Sequence, residues 1–382
     1  AWPTQFGFEL ALALFVLSAG LGIPLTVLIG RNYVGDDPRR DAGYTLFYLA
    51  INLGAFVTPF ICADFIGHRY GYRWGFVAAA VGMAVAALLF QWRKPRLDAL
   101  MPGADHLHGP RSTVWVLLVI ALLLYPTALL LALPTVLSWA MYALMGLLVL
   151  YFVVSCVRRR ERVQTHRYLA LLLLFVALVV FWAFSLQGVT SLNFLARDYV
   201  DAPFDFSWFQ SANPLYILIL APLLAMLWPW LERRGRDPST PRKFGIGLLL
   251  VALSYGVLVY TIGHLQHADG RIGWWSLALC YLLQTLGELA LMPIGYALVG
   301  QLAAPEEASL AMGGWFFGVA LAYQLAGWIA TLTIQVPTTG SALTGLADYA
   351  HVYGRLFGWG TAVALVFLLT APWIRRLMHG LH

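Results

Sequence analysis

The sequence predicts an all-α polytopic membrane protein. Hydrophobic residues make up 60% of the 382-residue chain and charged residues only 11%, against roughly a quarter charged in soluble domains. Mean hydropathy is +0.75. Several apolar runs exceed the ~20 residues that a helix needs to cross a bilayer. An outer-membrane barrel would instead read as alternating segments of ~10 residues, and these are absent.

Eleven helices are predicted, over residues 7–30, 42–66, 71–91, 113–133, 135–157, 166–196, 207–231, 244–265, 274–302, 308–334 and 352–377. The first opens almost at Ala1, without an initiator methionine or a signal-peptide pattern, so the chain is expected to start in the middle of something. The second follows the charged turn Asp36–Arg40 and carries Tyr48 and Asn52 one turn apart on one face. A buried amide in a membrane helix is costly without a partner, so Asn52 points to a cavity, an interhelical bond, or both. The fourth and fifth helices form a hairpin around Pro134. Their Leu, Val, Ala and Tyr surface, polar only at Thr127, suits a lipid-facing accessory pair.

The second, sixth, seventh, ninth and tenth helices hold the interior polar residues Asn52, Gln187, Asn193, Asn213, Gln284, Glu288 and Gln324, which normally face a bundle interior or a water-filled cavity. Pro214, Pro222 and Pro293 fall inside apolar runs, where they are expected to kink or break helices. Kinked helices with polar interiors suit a protein that opens and closes around a central site.

Charge placement sets the orientation. With the loop Arg31–Arg40 cytoplasmic, alternation puts 19 of the 24 basic residues on that side, so the C-terminus is expected inside. The net charge of +6 is this orientation signal and does not indicate nucleic-acid binding. Arg158–Glu161 reads as an inside anchor that also meets anionic lipid. Cys62, Cys156 and Cys280 lack metal-ligand spacing and read as packing thiols. Asp105, His106 and His108 share a flexible loop without fixed geometry, so no metal and no cofactor are expected. Arg197 and Asp198 read as a solvated helix end, with a gate ion pair as the alternative. No Ser/His/Asp set, phosphate loop or Cys cluster is present, so the chain is not read as an enzyme.

Four segments then act together. Gly35–Phe56, GDDPRRDAGYTLFYLAINLGAF, resembles the pattern FYxxINxGS/A. Phe181–Phe194, FWAFSLQGVTSLNF, resembles FWxxxEQxxSxLN. Phe209–Leu218, FQSANPLYIL, resembles FQSxNPLFI. Leu282–Val299, LLQTLGELALMPIGYALV, resembles QxxGELxLSPxGL. These are the fifth, seventh, eighth and tenth helix patterns of the proton-dependent oligopeptide transporter family, a branch of the major facilitator superfamily, and they occur in the family's order. The hairpin at 113–157 resembles the two extra helices between the halves of bacterial members.

The resemblance implies a major facilitator fold lacking its first three helices, with an ExxER motif among the missing part, and so a sequence that is incomplete or truncated. It implies three regions: 1–91, the remainder of the N-terminal bundle; 92–165, the accessory hairpin with its linkers; and 166–382, a six-helix C-terminal bundle. It implies that Asn52 and Asn213 hydrogen-bond peptide termini, that Glu288 faces the peptide amino terminus and takes part in proton coupling, and that Trp315 in MGGWFFG walls a side-chain pocket. Tyr48 and Gln187 complete the implied substrate set, with Tyr323 and Gln324 as weaker members. Against these, Glu288 alternatively pairs with a neighbouring helix and Trp315 is alternatively ordinary core. Two departures stand out: Ile23 occupies the family's Lys position in GLGIPL, and Leu186 occupies the Glu position beside Gln187. Neither can titrate, and losing both charges together keeps the site neutral.

The expected function is therefore secondary active import of di- or tripeptides, or peptide-like molecules, by alternating access. The expected driving force is protons, although the usual coupling positions hold Ile23 and Leu186. The alternative is a non-transporting or uncoupled peptide-binding protein of the same fold. Expected partners are peptide, protons and the lipid bilayer, with no nucleic acid. The chain is expected as a monomer in the bacterial inner (plasma) membrane.

Overall fold

A computed structural model describes residues 5–21, 39–99, 110–159, 161–333 and 342–380. Helices account for nearly all of it, because a backbone in hydrocarbon must satisfy its own polar groups. Among the described residues, nine helical segments are long and apolar enough to cross a membrane. The chain divides into two compact units, residues 1–140 and 141–382.

The first unit contains α1 (Gln5–Leu21), α2 (Arg39–Thr58), α3 (Tyr72–Ala99), α4 (Pro110–Ala132) and the opening of α5 (Pro134–Arg159). Within it α1 packs on α4. Helix α2 passes into a π-helical stretch, Pro59–His68, which packs against α3. The wider turn starts at Pro59, which has no N–H to give to the ladder. Gly71, at φ +94°, makes the bend before α3, a backbone region that glycine enters without strain. Ile23 and the Asp105–His108 loop segment lie outside the described residues.

The second unit contains the rest of α5, α6 (Arg162–Ser185), α7 (Ser191–Tyr199), α8 (Ala212–Arg233), α9 (Thr240–His264), α10 (Trp274–Leu302), α11 (Ala308–Thr331) and α12 (Ala342–Leu377). The core runs between α6, α9, α10, α11 and α12, centred on Tyr168, Leu174, Phe181, Phe244, Tyr255, Trp315 and Tyr353. Gly247 and Gly287 bring α9 and α10 into backbone contact: a Cβ on Gly247 would stand 2.9 Å from the Gly287 carbonyl oxygen, and one on Gly287 2.8 Å from that of Gly247. At the start of α10, Val200–Asp201 pairs in parallel with Ile272–Gly273.

Three expectations change in detail. The single helix expected over 166–196 is two helices, separated by a 3-10 turn at Leu186–Val189. Pro214 does not break a helix. It lies in the first turn of α8, where an N–H has no intrahelical partner to lose. The α10 helix runs unbroken through Pro293. The second helix of the expected hairpin also has a buried side: Phe152 is fully buried and Ser155 nearly so. The polar signal there was Ser155, one residue beyond the apolar run.

Candidate functional site

The break between α6 and α7 positions the site. Leaving the α-helical ladder at Leu186–Val189 frees backbone carbonyls that need other donors. The Gly188 carbonyl accepts from Tyr281 Oη at 2.9 Å and from Gln210 Nε2 at 2.9 Å. Gln210 also donates to Asn193 Oδ1 at 3.0 Å. A Cβ on Gly188 would stand 3.0 Å from the Tyr281 ring, so the glycine allows Tyr281 to reach this carbonyl.

Beside the break lies a cavity of about 260 Å³. It is lined by Trp182, Ser185, Leu186, Gly188, Val189, Gln210, Asn213, Pro214, Tyr281, Gln284, Glu288 and Tyr323. Glu288 is 8% exposed. Its Oε2 accepts from Asn213 Nδ2 at 2.9 Å. The same Asn213 nitrogen donates to Thr285 Oγ1 at 3.0 Å, and the Thr285 hydroxyl donates to the Tyr281 carbonyl at 2.8 Å. Among the described residues, no Arg, Lys or His forms an ion pair with Glu288. A carboxylate held by one neutral amide in a concave, mostly apolar site suits a small cationic group brought in by a ligand.

Asn213 and Glu288 are thus brought together. Gln187 is fully buried beside them, but its amide is used within the protein. Its Nε2 donates to the Ala183 and Ala326 carbonyls, each at 3.1 Å. Its Oε1 accepts from Ser191 at 2.6 Å, and Ser191 accepts from Tyr353 at 3.2 Å. Trp315 is fully buried between Phe175 and Phe244, with ring centroids 6.1 and 6.3 Å away. It is not among the residues lining this cavity. In the other unit, Asn52 is 7% exposed, and its Nδ2 donates to the Tyr48 carbonyl one turn back at 2.9 Å. Tyr48 is 40% exposed. Leu186 lines the cavity, at the position where the resemblance implies a glutamate.

Tyr281 and Gln210 were not anticipated. Tyr281, Gln284, Thr285 and Glu288 recur at steps of three and four along α10, which places them on one face. That period was available in the sequence. Gln210 stands inside the FQSANP segment, three residues before Asn213.

Membrane-spanning helices around a buried acidic cavity define a multi-span membrane protein with a solute-sized site. The model of the POT family matches residues 8–349, and the chain belongs to that family, a family of transporters. It is 33% identical to the peptide transporter YePEPT of Yersinia enterocolitica, over 98% of this chain and 76% of the relative. It is 30% identical to the uncharacterized transporter YclF of Bacillus subtilis, over the whole of this chain and 77% of the relative. A crystal structure of a peptide transporter POT variant in complex with alafosfalin superposes with a TM-score of 0.75 at 30% identity, covering 93% of this chain and 72% of that one. The fold is therefore of the major facilitator kind.

Proposed function

We propose that this chain is part of a secondary active transporter that imports di- or tripeptides, or peptide-like amines, by alternating access. The observation that carries the reading is Glu288, buried in a polar-rimmed cavity and held by Asn213 without a basic partner among the described residues. Such a carboxylate is suited to the amino terminus of a peptide, whose ammonium supplies the missing charge. The peptide transporter among its relatives, and the alafosfalin-bound neighbour, support this choice of ligand.

Glu288 is also the proposed proton-coupling group. A carboxylate that takes a proton at one membrane face and gives it up at the other is the physical basis of coupling. The proposal extends to Asn52 as a partner for a peptide terminus, with Tyr48, Gln187 and Trp315 as supporting positions. The regions 1–91, 92–165 and 166–382 are proposed as the bundle remainder, accessory hairpin and C-terminal bundle. The distribution of basic residues supports a bacterial inner-membrane location with a cytoplasmic C-terminus. A monomer is the proposed state.

Leu186 favours a second reading, a protein that binds peptide but does not couple its movement to protons, because a leucine at this position of the cavity wall cannot titrate. Uptake of labelled dipeptide into proteoliposomes holding the full-length protein, with and without an inward proton gradient, separates the two. Gradient-driven accumulation supports the transporter. Saturable binding without accumulation supports the second reading, and absence of both removes the proposal.

A further inference from the structure

The basic run at the end of α5 plays no part in the cavity around Glu288. Leu147, Leu150, Val154 and Arg158 recur along α5 at steps of three and four, so they form one stripe. This stripe flanks the buried side that carries Phe152 and Ser155. It walls a groove of about 550 Å³ that ends at Arg158, Arg159 and Glu307. The groove is apolar for about two helical turns and then becomes basic. Leu147 to Arg158 spans about 16 Å of helix axis, a length that suits the upper part of an acyl chain.

The charges at the polar end are not equivalent. Arg159 pairs with Glu307 at 3.3 Å and Glu306 at 3.7 Å. Glu307 in turn accepts hydrogen bonds from Tyr168, from Ser155 at 2.8 Å and from Tyr151 at 3.2 Å. That network turns the Glu307 oxygens towards α5 and α6. Arg158 stands outside it, at the mouth of the groove, with its positive charge uncompensated by the groove's own acid.

We infer that this groove is a binding site for one anionic glycerophospholipid of the phosphatidylglycerol type. The acyl chain lies along Leu147, Leu150 and Val154, and the phosphodiester meets Arg158. Charge complementarity selects the anionic headgroup. A zwitterionic headgroup also brings an ammonium, and Glu307, the one acid among the described residues of the groove wall, is already committed to Tyr168, Ser155, Tyr151 and Arg159.

Native mass spectrometry of the full-length protein tests this, with dioleoyl-phosphatidylglycerol and dioleoyl-phosphatidylcholine titrated separately. The wild type is expected to retain phosphatidylglycerol in preference to phosphatidylcholine. Arg158→Gln is expected to weaken phosphatidylglycerol retention about fivefold, the attraction of one basic residue for an anionic headgroup. Leu150→Trp, which fills the apolar wall and keeps Arg158, is expected to weaken it as well. Arg375→Gln, in the last turn of α12, is expected to leave it unchanged. Equal retention of the two lipids, wild-type retention by Arg158→Gln, or an equal loss in Arg375→Gln would each overturn the site in favour of a diffuse lipid annulus.

Discussion

Asn213 Nδ2 lies 2.9 Å from Glu288 Oε2 and 3.0 Å from Thr285 Oγ1, so one amide of α8 holds the cavity's carboxylate and ties α8 to α10. Asn213→Ala removes the donor and leaves the buried carboxylate unsupported. Hydrogen bonds to charged groups contribute roughly 1.5–3 kcal/mol. Peptide affinity is therefore expected to fall about tenfold or more, as measured by isothermal titration calorimetry on detergent-purified full-length protein. Unchanged affinity would detach Asn213 from the site.

A second network lies beyond the C-terminal end of α10, around Glu307 in the turn before α11. Burial by itself raises a carboxyl pKa. Here the hydrogen bonds from Tyr168 and Ser155, the charge of Arg159 and the bond from Tyr151 outweigh it and hold Glu307 below the usual glutamate value of 4.5. A depressed carboxylate stabilises the fold above its unfolded-state pKa, and that contribution fades as pH falls through the lower folded-state value. Glu307→Gln is expected to cost about 1–3 kcal/mol near neutral pH. The gap from wild type should close on acidification below about pH 4.5, read as thermal melting in detergent at a series of pH values. A gap independent of pH would show that shape, not charge, carries the effect.

The α9–α10 contact rests on two glycines. Gly247→Ala is expected to destabilise the protein by roughly 1–3 kcal/mol, since its Cβ would press on the Gly287 carbonyl and both backbones would have to move. Gly263→Ala, in the same helix, meets open space and is expected to be neutral or slightly stabilising. Thermal melting of the two variants side by side checks the pair.

Leu186 and Glu288 line the same cavity. Leu186→Glu places a second carboxylate there, and two like charges in one confined site disfavour each other. Peptide binding is expected to respond to pH differently in the variant and in the wild type, because a second titratable group then shares the cavity with Glu288. A binding curve against pH on both proteins checks it.

Much of this was legible in the sequence. Apolar runs of membrane length give the helices, and FQSANPLYIL with GEL gives Asn213 and Glu288 as polar residues in helices that must face a protected interior. The break at Leu186–Val189 was not legible. The local sequence contains no proline, and the turn depends on Gln210 and Tyr281, remote in sequence, to satisfy the Gly188 carbonyl. Gln187 reads from sequence as a ligand residue, because nothing local reveals that Ala183, Ala326 and Ser191 already occupy its amide. The Glu307 network is not legible locally for the same reason: its partners Ser155, Arg159 and Tyr168 lie about 140 to 150 residues away. Trp315 reads equally well as pocket wall or core from its own segment, and only the positions of Phe175 and Phe244 show how it packs.

The most direct test of the central claim compares a free-amine dipeptide with its N-acetylated form on wild type and Glu288→Gln, by binding to the full-length protein. If Glu288 receives the peptide amino terminus, the substitution weakens the free-amine peptide strongly, by about tenfold or more for a lost charge-assisted bond, and barely changes the acetylated one. Equal losses for both peptides would contradict the claim and leave Glu288 a structural partner of Asn213.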